Sequence, residues 1–177
     1  MFFMKKITLI ALLFALTWQA SSQTLENSLQ KRNELKLDVA FLLGSTLKVE
    51  YEYWLTDWSS VGASALYGFG SNGIEIDGDF SIRFQMLGTY RLYFGKEPTR
   101  GFFLEGNLGI VHGKESIFSW NPVGDFTAFG VGIALGWKWY IPRSGIVLDI
   151  FGGAGRLFGD NGPGAYPRAG VAVGKRF

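Results

Sequence analysis

The feature that most limits the possible folds is an alternation of apolar and polar side chains, which recurs in stretches of about ten residues from Asn33 onward. Each stretch is bounded by Gly, Pro, Asn, Asp or Ser, which favour turns. A period of two puts alternate side chains on opposite faces of a strand, whereas a helix has a period of about 3.6. No long segment has the helical period, so the sequence predicts an all-β chain of antiparallel strands.

The alternation predicts about eight strands, an even number as in the closed up-and-down barrels of bacterial outer membranes. Their apolar rows run over Leu35–Leu43, Leu47–Tyr53, Val61–Phe69, Phe80–Phe94, Phe102–Ile110, Phe129–Trp139, Ile146–Ile150 and Ala169–Val173. A three-residue loop, Gly44 to Thr46, is expected to pair Leu43 with Leu47 and keep both rows on one face. The 25 glycines and the 16% of aromatic residues also suit sheets with tight turns better than helices.

The chain begins with the pattern of a secretory signal peptide, predicted over residues 1–22. Lys5 and Lys6 precede an apolar run that ends at Leu16, and small residues follow from Ala20. The alternative, a transmembrane anchor, needs about 20 apolar residues, and this run is shorter. Residues 23–32 are expected to form a short periplasmic segment, and residues 33–177 the barrel.

Removal of the signal peptide would leave a chain with no net charge, because Lys5 and Lys6 leave with it. A neutral chain does not suit nucleic-acid binding, which needs a basic surface. The chain contains no Cys, which excludes a disulfide framework, thiol chemistry and a lipid attached to a Cys after the signal.

Aromatic residues cluster near three of the predicted turns, which an up-and-down topology brings to one rim. A ring of aromatic side chains at a membrane interface is typical of outer-membrane barrels. The predicted girdle consists of Tyr53, Trp54, Trp58, Tyr90, Trp137, Trp139 and Tyr140. Connections at this rim are short, whereas the opposite rim carries longer ones over residues 70–79, 112–125 and 155–167. Short periplasmic turns and longer outer loops are the expected asymmetry, with the short Gly44 to Thr46 loop as a departure from it.

The chain ends on an alternating strand, Ala169 to Phe177, with a terminal aromatic residue. This ending and the second strand, Leu47-Lys48-Val49-Glu50-Tyr51-Glu52-Tyr53, resemble the small eight-stranded outer-membrane β-barrel proteins of Gram-negative bacteria, the OmpA- and OmpX-like barrel domains, including members of unknown function. The resemblance extends over the mature chain as a pattern. It implies that Phe177 is the signal read by the barrel-assembly machinery, and that outer-membrane lipid surrounds a barrel expected to be monomeric.

If the apolar rows face lipid, the charged residues between them face the barrel interior. These are Lys36, Asp38, Lys48, Glu50, Glu52, Arg83, Arg91, Glu105, Lys138 and Asp149. Such residues form either a polar conduit or an ionic core that pairs buried charges, and a barrel of eight strands is narrow enough to favour the core. The small residues Gly130, Gly132, Ala134 and Gly136 either leave a void there or make room for Arg83 and Arg91.

Candidates for catalysis are few, because His112 is the only histidine. Ser116 follows it in a predicted outer loop, where a nucleophile and a base are not held on rigid elements. We therefore expect no enzymatic activity, no metal site and no cofactor.

The sequence favours an outer-membrane barrel with a structural role or a role in contacts made by its outer loops. Three alternatives stay open: a narrow conduit or carrier for small molecules, a lipid-modifying outer-membrane enzyme that uses His112 and Ser116, and a soluble secreted β-sandwich. An extracellular partner is not identified by any motif.

Overall fold

The computed structural model describes residues 31–43, 46–69, 74–76, 80–115, 124–159 and 164–177. The predicted signal peptide, and residues 23–30 of the segment that follows it, lie outside the described residues. One helical turn, α1 (Val39–Leu43), accompanies the strands. The strands are β1 (Asn33–Asp38), β2 (Thr46–Thr56), β3 (Ser59–Gly68), β4 (Ile74–Ile76), β5 (Phe80–Phe94), β6 (Gly101–Glu115), β7 (Gly124–Ile141), β8 (Ile146–Phe158) and β9 (Ala165–Arg176).

Eight strands close into a barrel in which every neighbouring pair is antiparallel. Strands adjacent in sequence pair with each other except β3 and β4. In addition, β1 pairs with β9, and β3 pairs with β5, which completes the ring. The short β4 lies outside this ring and pairs only with the start of β5. The predicted up-and-down barrel is therefore confirmed, and the two-sheet sandwich is wrong because no strand edge of the ring is left open.

The alternation of the sequence becomes the alternation between the two faces of the barrel wall. In β7, buried and exposed side chains follow one another from Phe126 to Ile141 with one intermediate position. The exposed positions carry large apolar side chains such as Val131, Ile133 and Leu135, and the buried ones include Gly132 and Lys138. The outer wall is thus largely apolar, whereas the interior holds buried charged side chains beside apolar clusters.

The first connection differs from the predicted three-residue loop. The alternation at Leu35 and Leu37 ends at Asp38, immediately before α1, and Leu37 pairs with Val49. This register excludes a pairing of Leu43 with Leu47. The Asp38 Oδ1 accepts a hydrogen bond from the Ala40 backbone N–H at 3.2 Å, the arrangement of a side chain that caps the start of a helix.

The two rims of the barrel differ in their connections. Residues 57–58, 95–100 and 142–145 form three short turns at one rim, which we call the short-turn rim. The first and last strands also meet there, because the Asn33 and Phe177 backbones exchange two hydrogen bonds of 3.2 and 2.8 Å. The remaining connections belong to the opposite rim, and residues 44–45, 70–73, 77–79, 116–123 and 160–163 of them lie outside the described residues. No helix of the described chain is long and apolar enough to cross a membrane.

Candidate functional site

Among the described residues, the barrel interior holds a balanced set of six carboxylates and six cations, all nearly inaccessible to solvent. The strands deliver them at alternate positions, so each side chain points away from the apolar outer wall. The carboxylates are Glu34, Asp38, Glu50, Glu52, Glu105 and Asp149, and the cations are Lys36, Lys48, Arg91, Lys138, Arg168 and Arg176. We call these residues the ionic core.

Glu52 on β2 lies at the centre of the ionic core. Its Oε2 is 2.5 Å from the Lys36 Nζ, 2.8 Å from the Lys138 Nζ and 3.0 Å from the Arg91 Nη1. Its Oε1 accepts hydrogen bonds of 2.6 Å from the Ser60 and Tyr93 hydroxyl groups. Because both oxygens accept bonds, the burial of this carboxylate is compensated on every side.

A second group of ion pairs connects Arg91 on β5 with charged residues on β6, β8 and β9. The Arg91 side chain donates to Glu105 at 2.8 Å and to Asp149 at 2.8 Å. Glu105 also accepts from the Arg168 Nε at 2.8 Å, and Arg168 reaches Glu50 at 3.1 Å. These contacts tie β5, β6, β8 and β9 to β2 through side chains, in addition to the backbone pairing of neighbours.

Two further clusters continue the ionic core toward the rims. On the side of the long connections, the Lys48 Nζ donates to Asp38 at 3.0 Å and lies 4.5 Å from the centre of the Phe151 ring. On the side of the short turns, Glu34 accepts from Lys138 at 2.5 Å, from the Trp54 indole N–H at 2.7 Å and from the Arg176 Nε at 2.8 Å.

The structure places all of the predicted interior charges in this core except Arg83. The pairing of β5 with β6 is irregular between Ile82 and Phe84, so the alternation slips by one residue there. Ile82 is consequently buried, whereas Arg83 is only partly buried and makes no ion pair with the residues that the structure describes.

Sequence reasoning missed three members of the ionic core: Glu34, Arg168 and Arg176. The signal was present, since Glu34 precedes Lys36 by two positions and both arginines lie in phase with the inward positions of β9. Extending the alternation to the ends of β1 and β9 identifies all of them.

The predicted aromatic girdle divides between the two faces of the wall. Exposed outward-facing rings belong to Tyr53, Trp58, Tyr90, Trp137 and Trp139. Trp54 and Tyr140 point inward instead, with 2% and 8% of their surfaces exposed. Both are in phase with interior charges, Trp54 with Glu52 and Tyr140 with Lys138, and both rings contact the Arg176 guanidinium.

Two inward glycines of β7, Gly130 and Gly136, make room for aromatic rings rather than for arginines, whereas Gly132 lies against the β8 backbone and Asn107. A side chain at Gly130 would come within 2.7 Å of the Tyr166 ring, and one at Gly136 would collide with Phe103. Together with an apolar layer toward the long connections, these rings occupy the lumen. Leu66, Ile82, Leu87, Val111, Phe126, Ala128, Leu157 and Tyr166 form that layer. One gap among the described residues, beside Glu50, Arg91 and Arg168, admits no water-sized sphere.

The candidate catalytic residues are not brought together in the part of the chain described here. His112 lies half-exposed on β6, and its Nδ1 is 2.9 Å from the Thr127 Oγ1 on β7. Ser116 lies outside the described residues. Within the described ranges, no group of three His, Cys, Asp or Glu side chains is arranged to hold a metal ion.

Comparison with solved structures supports the barrel. The chain is similar to the crystal structure of the N-terminal β-barrel domain of Pseudomonas aeruginosa OprF, with a TM-score of 0.50 and 17% sequence identity. The alignment covers 84% of this chain and 98% of that domain, so the likeness concerns the whole barrel fold. No protein-family model matches the chain, and no curated protein matches it.

Proposed function

We propose that this chain is exported and spans the outer membrane of a Gram-negative cell as a barrel with a filled lumen, and that its role is structural or depends on contacts made by its long connections. The observation that carries this proposal is the outer wall. Large apolar side chains around the ring are 36–65% exposed, among them Leu35, Met86, Leu108, Ile133 and Ile150. Such a continuous apolar surface suits a hydrocarbon environment and not water.

The backbone of the ring supports the same environment. Lipid offers no hydrogen bonds, so a chain can cross it with strands only if the sheet closes on itself, as the pairing of β1 with β9 and of β3 with β5 achieves. The outward Tyr53, Tyr90 and Trp137 lie toward the short-turn rim, where amphipathic rings meet the membrane interface. The proposed orientation puts the short turns in the periplasm and the long connections outside.

The filled lumen favours a structural or interaction role over a conduit. Ion pairs and aromatic rings occupy the barrel axis, and the apolar layer adjoins the long connections. We therefore expect ions and polar solutes not to cross the part of the lumen that the described residues form. A catalytic role is not part of the proposal, since within the described ranges the His112 imidazole contacts the Thr127 hydroxyl and no carboxylate hydrogen-bonds to it.

Membrane integration is tested by the gel mobility of the full-length protein expressed in a Gram-negative host. We expect the protein to fractionate with the outer membrane and to migrate differently before and after boiling, because a closed barrel resists SDS until it is heated. Protein recovered from the periplasm without detergent would contradict the proposal. A periplasmic domain of known solubility, followed in the same fractions, serves as the control.

Occupancy of the lumen is tested separately by the swelling of liposomes that contain the refolded barrel. We expect liposomes with this protein to be as impermeable to arabinose as protein-free liposomes, because no water-sized gap remains beside Arg91 and Arg168. Liposomes with a general diffusion porin provide the positive control. Rapid swelling with this protein would favour the conduit instead, while leaving membrane integration intact.

A further inference from the structure

A cavity of about 220 Å³ opens at the short-turn rim. Its walls come from the residues before β1, the end of β2 with its turn, the turn between β5 and β6, and the end of β7. The Arg176 side chain forms part of its floor, and the ionic core continues beyond it. The cavity is therefore a blind cup that opens at one rim of the barrel.

The Arg176 guanidinium is held in position before any ligand arrives. Its Nε donates to Glu34 at 2.8 Å, and its Nη1 and Nη2 donate to the Thr99 hydroxyl and carbonyl oxygens at 2.7 and 3.1 Å. Its planar group lies 3.8 Å from the centre of the Tyr140 ring and 4.9 Å from that of Trp54. A cation fixed in this way loses little conformational entropy on binding an anion.

The turn that forms one wall of the cavity contains a strained residue. Thr99 has a φ of 62°, a left-handed conformation that is unfavourable for a β-branched side chain. Three hydrogen bonds hold it there, two from Arg176 and one from its own N–H to the Asp57 carbonyl at 2.9 Å. The turn is thus anchored across the barrel mouth, and the cavity has a defined shape.

The charges around the cavity favour an anion. Its walls carry the cations Lys31, Arg32, Arg100 and Arg176 and the carboxylates Asp57 and Glu97. Arg100 pairs with Glu97, and Arg176 pairs with Glu34 of the ionic core. Lys31 and Arg32 have no ion-pair partner among the residues that the structure describes, so two cations face one remaining carboxylate.

We propose that this cavity binds a small oxyanion, either an organic carboxylate or a phosphate, and that the oxygens of the ligand contact the cations of the cavity. Guanidinium and ammonium groups donate charge-assisted hydrogen bonds to such oxygens, and Arg32 and Lys31 are the lining cations whose donors no ion pair among the described residues already uses. The volume suits a molecule of a few carbon atoms rather than a drug-sized ligand. The proposed site requires only the barrel fold. That the cavity opens toward the periplasm rests on the proposed function, which places the short turns there.

Isothermal titration of the full-length mature barrel, refolded in detergent micelles, tests the site with citrate and with inorganic phosphate in separate experiments. Binding of citrate identifies a carboxylate site, and binding of phosphate alone identifies a phosphate site. We expect Lys31→Gln and Arg32→Gln each to weaken binding about tenfold, the scale of one hydrogen bond to a charged group. Asp57→Asn should strengthen binding, because it removes a repelling carboxylate and keeps the backbone carbonyl that Thr99 uses.

Arg143→Gln is the matched control, since Arg143 is an exposed cation of the same rim that does not line the cavity. Its affinity should equal that of the unchanged protein, and heat-modifiable mobility verifies that every variant folds. Absence of binding by both anions would overturn the proposal, as would equal affinity in the lysine, arginine and control variants. Because these measurements are made in micelles, their outcome does not depend on where the protein is found in the fractionation test. Failure of anion binding can therefore be distinguished from failure of the proposed membrane location.

Discussion

Replacing Glu52 with glutamine should lower the free energy of unfolding by about 3–5 kcal/mol, the usual cost of breaking a buried ion pair from one side. The Glu52 carboxylate contacts Lys36, Lys138 and Arg91 within 3.0 Å. Glutamine keeps the shape of the side chain but removes its charge, and the three cations stay buried. Urea unfolding of the barrel refolded in lipid vesicles, followed by tryptophan fluorescence, measures the difference.

Two further variants separate the ionic core from a general effect of lost charge. Glu97→Gln removes a carboxylate that is 60% exposed and paired with Arg100 at the short-turn rim, so its cost should be about 0–1 kcal/mol. Adding Lys138→Met to Glu52→Gln should cost less than the sum of the single changes, because it removes one of the uncompensated cations. If Glu52→Gln unfolds with the same midpoint as Glu97→Gln, the ionic core is not what stabilises the lumen.

We expect the ionic core to contribute more to the choice of one structure than to total stability. Replacing buried ion pairs by well-packed apolar groups is often neutral or stabilising, so their pairing alone does not explain their presence. Here Glu52 on β2 contacts Arg91 on β5 and Lys138 on β7, strands that are not its neighbours in the ring. A slip of one strand by one residue would turn its interior charges toward the outer wall. We infer that the ionic core fixes strand register.

Much of this arrangement could be predicted because a strand has only two faces. Once the apolar row of β7 is assigned to the outer wall, Lys138 must face inward, and the same step places Glu105 and Asp149. The prediction failed for Arg83, because the irregularity between Ile82 and Phe84 depends on how β5 and β6 pair and leaves no mark in the alternation.

The prediction of the aromatic girdle was wrong for Trp54 and Tyr140 for a different reason. Their position near a rim suggested the membrane interface, but their phase with Glu52 and Lys138 put them inside. Periodicity decides the face of a strand, whereas composition near a turn decides only the height along the barrel. The cavity at the short-turn rim could not be predicted either way, since it depends on the left-handed conformation of Thr99 and on contacts between residues far apart in sequence.

Replacing Ile133 with arginine should destabilise the membrane-embedded barrel by about 2–4 kcal/mol, the cost of a cation on the lipid face near the middle of the bilayer. Ile133 lies midway along β7, and 65% of its surface is exposed on the outer wall. Ile141→Arg changes the same residue type at the end of the same strand, where the side chain reaches the interface and the cost falls to about 0–1 kcal/mol.

Urea titration of both variants in lipid vesicles measures this dependence on depth. In a water-soluble barrel both substitutions would replace an exposed apolar side chain by a charged one, and neither would destabilise the fold. Equal stability of the Ile133→Arg and Ile141→Arg variants would therefore contradict a hydrocarbon environment for the outer wall. A larger loss of stability in Ile133→Arg than in Ile141→Arg cannot be explained by exposure alone, because both side chains are more than half exposed. It requires surroundings whose polarity changes along the barrel axis, as a bilayer provides.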